Sequence, residues 1–69
     1  MPLTLLKTGN TASIRKISGK TETKRFLNNL GFVEGETVTI VSEMGGNMII
    51  NVKDARVALE KTIANKIIV

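Results

Sequence analysis

Hydrophobic and polar positions change period several times along this chain, and each change marks an element. Thr11-Ala12-Ser13-Ile14-Arg15-Lys16-Ile17 alternates from Ala12 to Ile14 and then slips by one at Ile17. The run predicts a first strand that bulges or ends there. Gly9-Asn10 ahead of it is a turn signal. From Thr21 to Leu30 the period becomes helical, with Phe26, Leu27 and Leu30 on one apolar face and Lys24, Asn28 and Asn29 elsewhere. Ser18 or Gly19 can supply the N-cap, and Glu22 in the first turn complements the helix dipole. Gly31 is the natural C′ residue, because glycine enters the left-handed region without a Cβ penalty. Counting back puts Leu27 at C3 and Phe32 at C″, two positions that touch in a Schellman motif.

Gly35-Glu36 opens a β-branched run, Thr37-Val38-Thr39-Ile40-Val41-Ser42. Met44-Gly45-Gly46-Asn47 is a turn, and Met48-Ile49-Ile50-Asn51-Val52 is the returning strand. Val38 and Ile40 can share an inner face with Met48, Ile50 and Val52. The stretch from Ala55 to Lys66 matches two patterns. Ala55, Leu59 and Ile63 recur at helical spacing, yet Ala55, Val57 and Leu59 alternate. A tight turn at Lys53-Asp54 would continue the meander as a strand, whereas propensity leans to helix. Asn65 can close a short helical turn, and Ile67-Ile68-Val69 reads as a terminal strand. The sum is a mainly β chain: a small, strongly twisted barrel of about five strands with one inserted helix over 21–30, closed to hide its edges.

Composition narrows the chemistry. Sixty-nine residues make a single domain that buries about 60% of its unfolded surface. Phe26 and Phe32 are the only aromatics, so the core is aliphatic. With no cysteine there is no disulfide, thiolate nucleophile or Cys-type zinc site. With no histidine, the commonest general base and transition-metal ligand are missing. Glu22 with Glu34, or Glu36 with Asp54, could pair for acid–base work, but their spacing suggests no pocket. The six carboxylates are scattered and no Asp-x-Asp loop occurs. Gly45-Gly46 lacks the Lys-Ser/Thr and helix start of a phosphate-binding loop. No catalytic, cofactor or metal residue is therefore assigned, and no enzyme activity is expected. Met1-Pro2-Leu3-Thr4-Leu5-Leu6 lacks a basic n-region, and no run approaches the roughly 18 apolar residues of a membrane span. The expectation is a soluble cytoplasmic protein.

Charge adds a direction. The net charge is +4, but it is unevenly placed. Lys7, Arg15, Lys16, Lys20, Lys24 and Arg25 face only Glu22 in the first third, while residues 26–52 hold Glu34, Glu36 and Glu43 and no cation. Such asymmetry can steer an acidic protein, a nucleic acid or an anionic membrane, or merely solubilise the chain. There is no Trp or Tyr, and both Phe residues belong to the helix-end motif, where packing is their role. That leaves no platform for stacking bases and no aromatic groove for proline-rich peptides. An interaction domain remains. Its candidate surfaces are the basic helix face (Lys20, Lys24, Arg25 and Asn28) and the hairpin tip with Met44 and Met48. Met48 is in phase with Ile50 and Val52 and belongs in the core.

Several segments, in this order and spacing, carry a resemblance. They are Leu3-Thr4-Leu5-Leu6-Lys7-Thr8-Gly9, Ala12-x-Ile14, Ile17-Ser18-Gly19, Arg25-Phe26-Leu27-x-x-Leu30-Gly31-Phe32-x-x-Gly35, Val38-x-Ile40, Ala58-Leu59 and Ala64-x-x-Ile67-x-Val69. Over 1–69 the chain resembles the FeoA family, ferrous iron transport protein A. It departs at Asn29, where the family often has an acidic residue, and at the hairpin Met44 to Met48, which lacks the family's prolines. It also departs at Asp54, near a frequent glycine. The resemblance implies an SH3-like barrel, with 55–60 as a strand and a helical turn near 62–65. It implies a cytoplasmic accessory role in bacterial ferrous iron uptake, docking on the FeoB-like membrane GTPase transporter, with no direct nucleic acid contact expected. Separately, the exposed edge of a small barrel leaves room for weak self-association. Two other readings stay open: a basic nucleic-acid- or ribosome-associated module, separable by its salt dependence, and a metal-responsive regulatory module.

Overall fold

The computed structural model describes residues 1–69. In chain order, a 3₁₀ turn at Leu3–Leu5 precedes β1 (Thr11–Ser13), β2 (Lys16–Ile17), α1 (Thr21–Asn29), β3 (Thr37–Met44), β4 (Asn47–Val52), β5 (Ala55–Glu60), α2 (Lys61–Ala64) and β6 (Ile67–Ile68). Strands β1, β3, β4 and β5 form one antiparallel sheet in the order β1-β3-β4-β5, and β2 pairs with β6 in a second. Pro2 bridges to Ile68, and the amino group and carbonyl of Met1 bond to the backbone of Val69, so the two termini lie together.

The slip at Ile17 has a physical cause. The expected strand over Thr11 to Ile17 divides at Ile14-Arg15 and gives half of itself to each sheet. The Ile14 N–H donates to the Glu36 carbonyl at 2.9 Å, and the next N–H, of Arg15, donates to the Ile68 carbonyl at 2.7 Å. Six strands result where about five were expected.

The β3–β4 hairpin has the inner face read from its alternation: Val38, Ile40, Met48, Ile50 and Val52 are all buried. β3 runs two residues further than expected, to Met44, and carries a bulge where Val41 sits between the pairs Ile40–Ile50 and Ser42–Ile49. Gly45 and Gly46 both have positive φ, the signature of the two-residue turn whose twist matches the strands. Lys53 and Asp54 turn the same way, at φ 47° and 63°, without glycine.

The ambiguous stretch from Ala55 is a strand to Glu60. Leu59 and Val57 lie opposite Met48 and Ile50, and this cross-strand burial outweighs the helical lean of the local sequence. The helical turn spans Lys61–Ala64, one residue earlier than expected, and Asn65 caps it.

α1 ends as its sequence indicates. The Phe32 N–H donates to the Leu27 carbonyl and the Gly31 N–H to the Asn28 carbonyl, both at 3.0 Å, with Gly31 at φ 105°. This is the 6→1 and 5→2 pair of a Schellman motif. The start differs from expectation: Lys20 is the N-cap and makes no side-chain capping bond. The Ser18 hydroxyl instead bonds to the Lys66 carbonyl at 3.1 Å, where it ties β2 to the segment before β6.

Twelve residues form the core, all apolar, with Phe32 its single aromatic. Phe26 corrects the sequence reading. It is 51% exposed, whereas Leu27 is fully buried and Leu30 half-buried. The buried stripe of α1 runs through Thr23, Leu27 and Leu30, at i, i+4 and i+7, and Phe26 falls on its flank.

Candidate partner-binding surface

Helix α1 is held by one fully buried side chain, Leu27, and its remaining surface carries the residues singled out by charge. Lys20, Lys24 and Asn28 recur every four residues and form one row along the helix, all exposed. Lys24 and Asn28 form one wall of a shallow groove of about 290 Å³, completed by Ile17, Val33 and Glu34. A second row, Glu22, Arg25, Phe26 and Asn29, faces outward beside the first. Arg25 lies outside the groove, and Phe26, the next residue in the chain, is exposed. Met44 is 68% exposed at the far end of β3 and does not line the groove, so the structure does not join it to the helix surface. Met48 is in the core.

Eight of the ten cations are unpaired, the three on and beside the helix among them. The only ion pairs are Lys53 with Glu36 at 3.8 Å and Lys61 with Glu43 at 3.4 Å. Lys20, Lys24 and Arg25 have no carboxylate partner, so their charge is not spent within the fold. Sequence reasoning missed Ile17, Val33, Glu34 and the exposure of Phe26. The first three come from segments on either side of the helix, and only the fold brings them to Lys24 and Asn28. The Arg-Phe dipeptide within a basic stretch was the available signal for Phe26.

The carboxylates do not assemble a reaction centre. Glu36 and Asp54 line one shallow depression on the outer face of the larger sheet, with Thr37, Thr39, Asn51 and Arg56 among its walls. Glu36 is turned there toward Lys53. No polar or charged residue is buried, and no three metal-ligating side chains gather. No helix is long and apolar enough to cross a membrane.

Comparison with known proteins decides the family. The FeoA domain model matches residues 1–69. The chain belongs to the FeoA family. Among solved structures it is similar to FeoA of Stenotrophomonas maltophilia in complex with zinc, a prokaryotic SH3 domain protein described as a candidate ferrous iron transport activating factor. The two share 27% identity and a TM-score of 0.86, over 99% of this chain and 87% of that one. Iron(II) transport protein A of Clostridium thermocellum is 29% identical with a TM-score of 0.90, over 97% of this chain and 43% of that one. A manganese-dependent transcriptional repressor, 20% identical with a TM-score of 0.87, covers 97% of this chain with 39% of its own length. At that identity the likeness shows the fold alone. Among curated proteins no significant sequence match is found. The two small sheets and the strand that bends between them are thus the SH3-like fold of FeoA proteins, a family associated with ferrous iron transport.

Proposed function

We propose that this FeoA domain is a cytoplasmic accessory protein of ferrous iron uptake that docks on the cytoplasmic part of a FeoB-type GTPase transporter and adjusts its activity. Family membership over 1–69 supports the iron-uptake role. The observation that supports the docking is the pair of adjoining exposed rows on α1, one with unpaired Lys20 and Lys24 and the other with unpaired Arg25 and half-exposed Phe26. Exposed cations steer an acidic surface and set the encounter rate, while a partly exposed aromatic flanked by charge supplies the apolar anchor of a small interface. The domain itself performs no chemistry; its effect is a contact.

The test is a titration of this chain with the transporter's soluble cytoplasmic domain, with and without guanine nucleotide. Saturable binding that Lys24→Glu and Arg25→Glu weaken supports the proposal, and no binding in either nucleotide condition overturns it. The second reading is oligonucleotide binding. The exposed ring of Phe26, on a helix that carries Lys20, Lys24 and Arg25, provides one stacking surface where the sequence predicts packing. Binding to single-stranded RNA or DNA that collapses steeply as salt rises would favour it.

A further inference from the structure

Strand β5 has one neighbour, β4, and its other edge is open. The turn fixes which groups lie on that edge. Lys53-Asp54 is a two-residue turn, so the flanking pair Val52–Ala55 exchanges both backbone hydrogen bonds. Alternation along the ladder then points the N–H and C=O of Ala55, Val57 and Leu59 toward β4. Those of Arg56, Ala58 and Glu60 point outward. The edge has no proline, no lysine and no bulge, and the residue at its centre is alanine. The only device on this edge that could discourage pairing is charge, and its two charges, Arg56 and Glu60, are of opposite sign.

The side chains of this edge are self-complementary. Arg56, Ala58 and Glu60 are all exposed, and neither Arg56 nor Glu60 belongs to an ion pair within the chain. The Arg56 Nε–H donates to Asn51 Oδ1 at 3.2 Å, which orients the guanidinium and leaves its terminal nitrogens free. Laid antiparallel on a second copy about a two-fold axis at Ala58, the strand places Arg56 opposite Glu60 of the other copy, twice. Alanine meets alanine at the centre. The same register pairs the outward backbone groups of residues 56, 58 and 60 with each other, and it stops at Glu60, where α2 begins. Backbone alternation, charge and strand length therefore agree on one register.

We infer that the β5 edge is a homodimerisation surface, at which two copies join their four-stranded sheets through antiparallel β5–β5 pairing locked by two Arg56–Glu60 ion pairs. Such an interface is isologous, as a two-fold dimer requires. One strand edge buries less than a standard interface, so the dimer is a weak, concentration-dependent one. It lies apart from the groove of α1 and is independent of transporter docking.

Sedimentation equilibrium of the full chain, from micromolar to millimolar concentration, tests it without any other component. The wild-type mass is expected to rise toward twice that of the chain. Arg56→Glu and Glu60→Arg, each placing like charges opposite one another, are expected to associate at least tenfold more weakly. An equimolar mixture of these two variants restores opposite charges at both pairs and is expected to recover association. Ala58→Pro deletes only an outward N–H and is expected to be monomeric with an unchanged circular dichroism spectrum. A wild-type chain that stays at its single mass throughout overturns the inference. So do single charge variants that associate like wild type, or a mixture that fails to recover.

Discussion

Replacing Gly31 by alanine isolates backbone geometry from packing. Gly31 is the C′ residue of α1 at φ 105°, well beyond the ordinary left-handed well near +57°. A Cβ built there would meet Lys53 Cδ at 3.5 Å and Val52 Cγ2 at 3.6 Å, both ordinary van der Waals distances. No clash contributes, so the cost is conformational. An L-residue in the left-handed region costs about 1–2 kcal/mol, and the position of this φ puts the cost at the upper end. Alanine also narrows the unfolded ensemble, which offsets about 0.4–1 kcal/mol. The net loss is about 1 kcal/mol. For a chain of this size that lowers Tm by about 4–8 °C. Thermal melts followed by circular dichroism, with urea titration to confirm an unchanged m-value, measure it. Gly31→Asn, which tolerates positive φ better, is expected to lose less. A Gly31→Ala protein that melts with the wild type would refute the reasoning, because the Schellman turn would then not hold Gly31 in this conformation. A loss above about 3 kcal/mol would refute it the other way, by requiring a steric collision that the distances exclude.

Leu27→Ala removes the one fully buried side chain of α1 and is expected to cost about 2–5 kcal/mol in urea titration. Amide exchange across Thr21–Asn29 should accelerate, and a loss below about 1 kcal/mol would mean that other contacts hold the helix. Phe26→Ala is expected to change stability by less than about 1 kcal/mol because the ring is half in water, whereas Phe32→Ala should cost about 3–5 kcal/mol; equal losses in thermal melts would contradict the exposure of Phe26. Lys53→Asn combined with Asp54→Gly relieves two positive-φ residues and gives up a half-exposed 3.8 Å ion pair and the Lys53 stem that lies beside Gly31. The glycine also widens the unfolded ensemble, which offsets about 0.4–1 kcal/mol, so the expected net gain is below about 1 kcal/mol, and a Tm lowered by several degrees would contradict that turn geometry.

Local rules were sufficient where an element's determinants lie within its own segment. The inner face of the hairpin and the Schellman end at Gly31 are of this kind, because period and turn chemistry specify them without a distant partner. They failed where the partner decides. Nothing within Thr11 to Ile17 says that Ile14 and Arg15 bond to opposite sheets, and Ala55 to Glu60 is a strand because β4 lies beside it. The candidate surface divides in the same way. The row Lys20, Lys24, Asn28 follows from helical spacing, but Ile17, Val33 and Glu34 reach the groove only through the fold. Apolar identity alone predicts burial of Phe26, but with Thr23 and Leu30 framing Leu27 the helix hides only a narrow stripe that leaves Phe26 outside it. The free charges of Arg56 and Glu60 have meaning only once β5 is known to be an edge.

The docking of α1 on the transporter is most directly tested by nuclear magnetic resonance. The isotopically labelled chain is titrated with the transporter's soluble cytoplasmic domain, and its amide shifts are mapped residue by residue. The expected result is saturable perturbation concentrated at Lys20, Lys24, Arg25, Phe26 and Asn28, with the β4–β5 hairpin unmoved. Perturbations centred on the tip of the β3–β4 hairpin at Met44, on the β5 edge, or nowhere would contradict it.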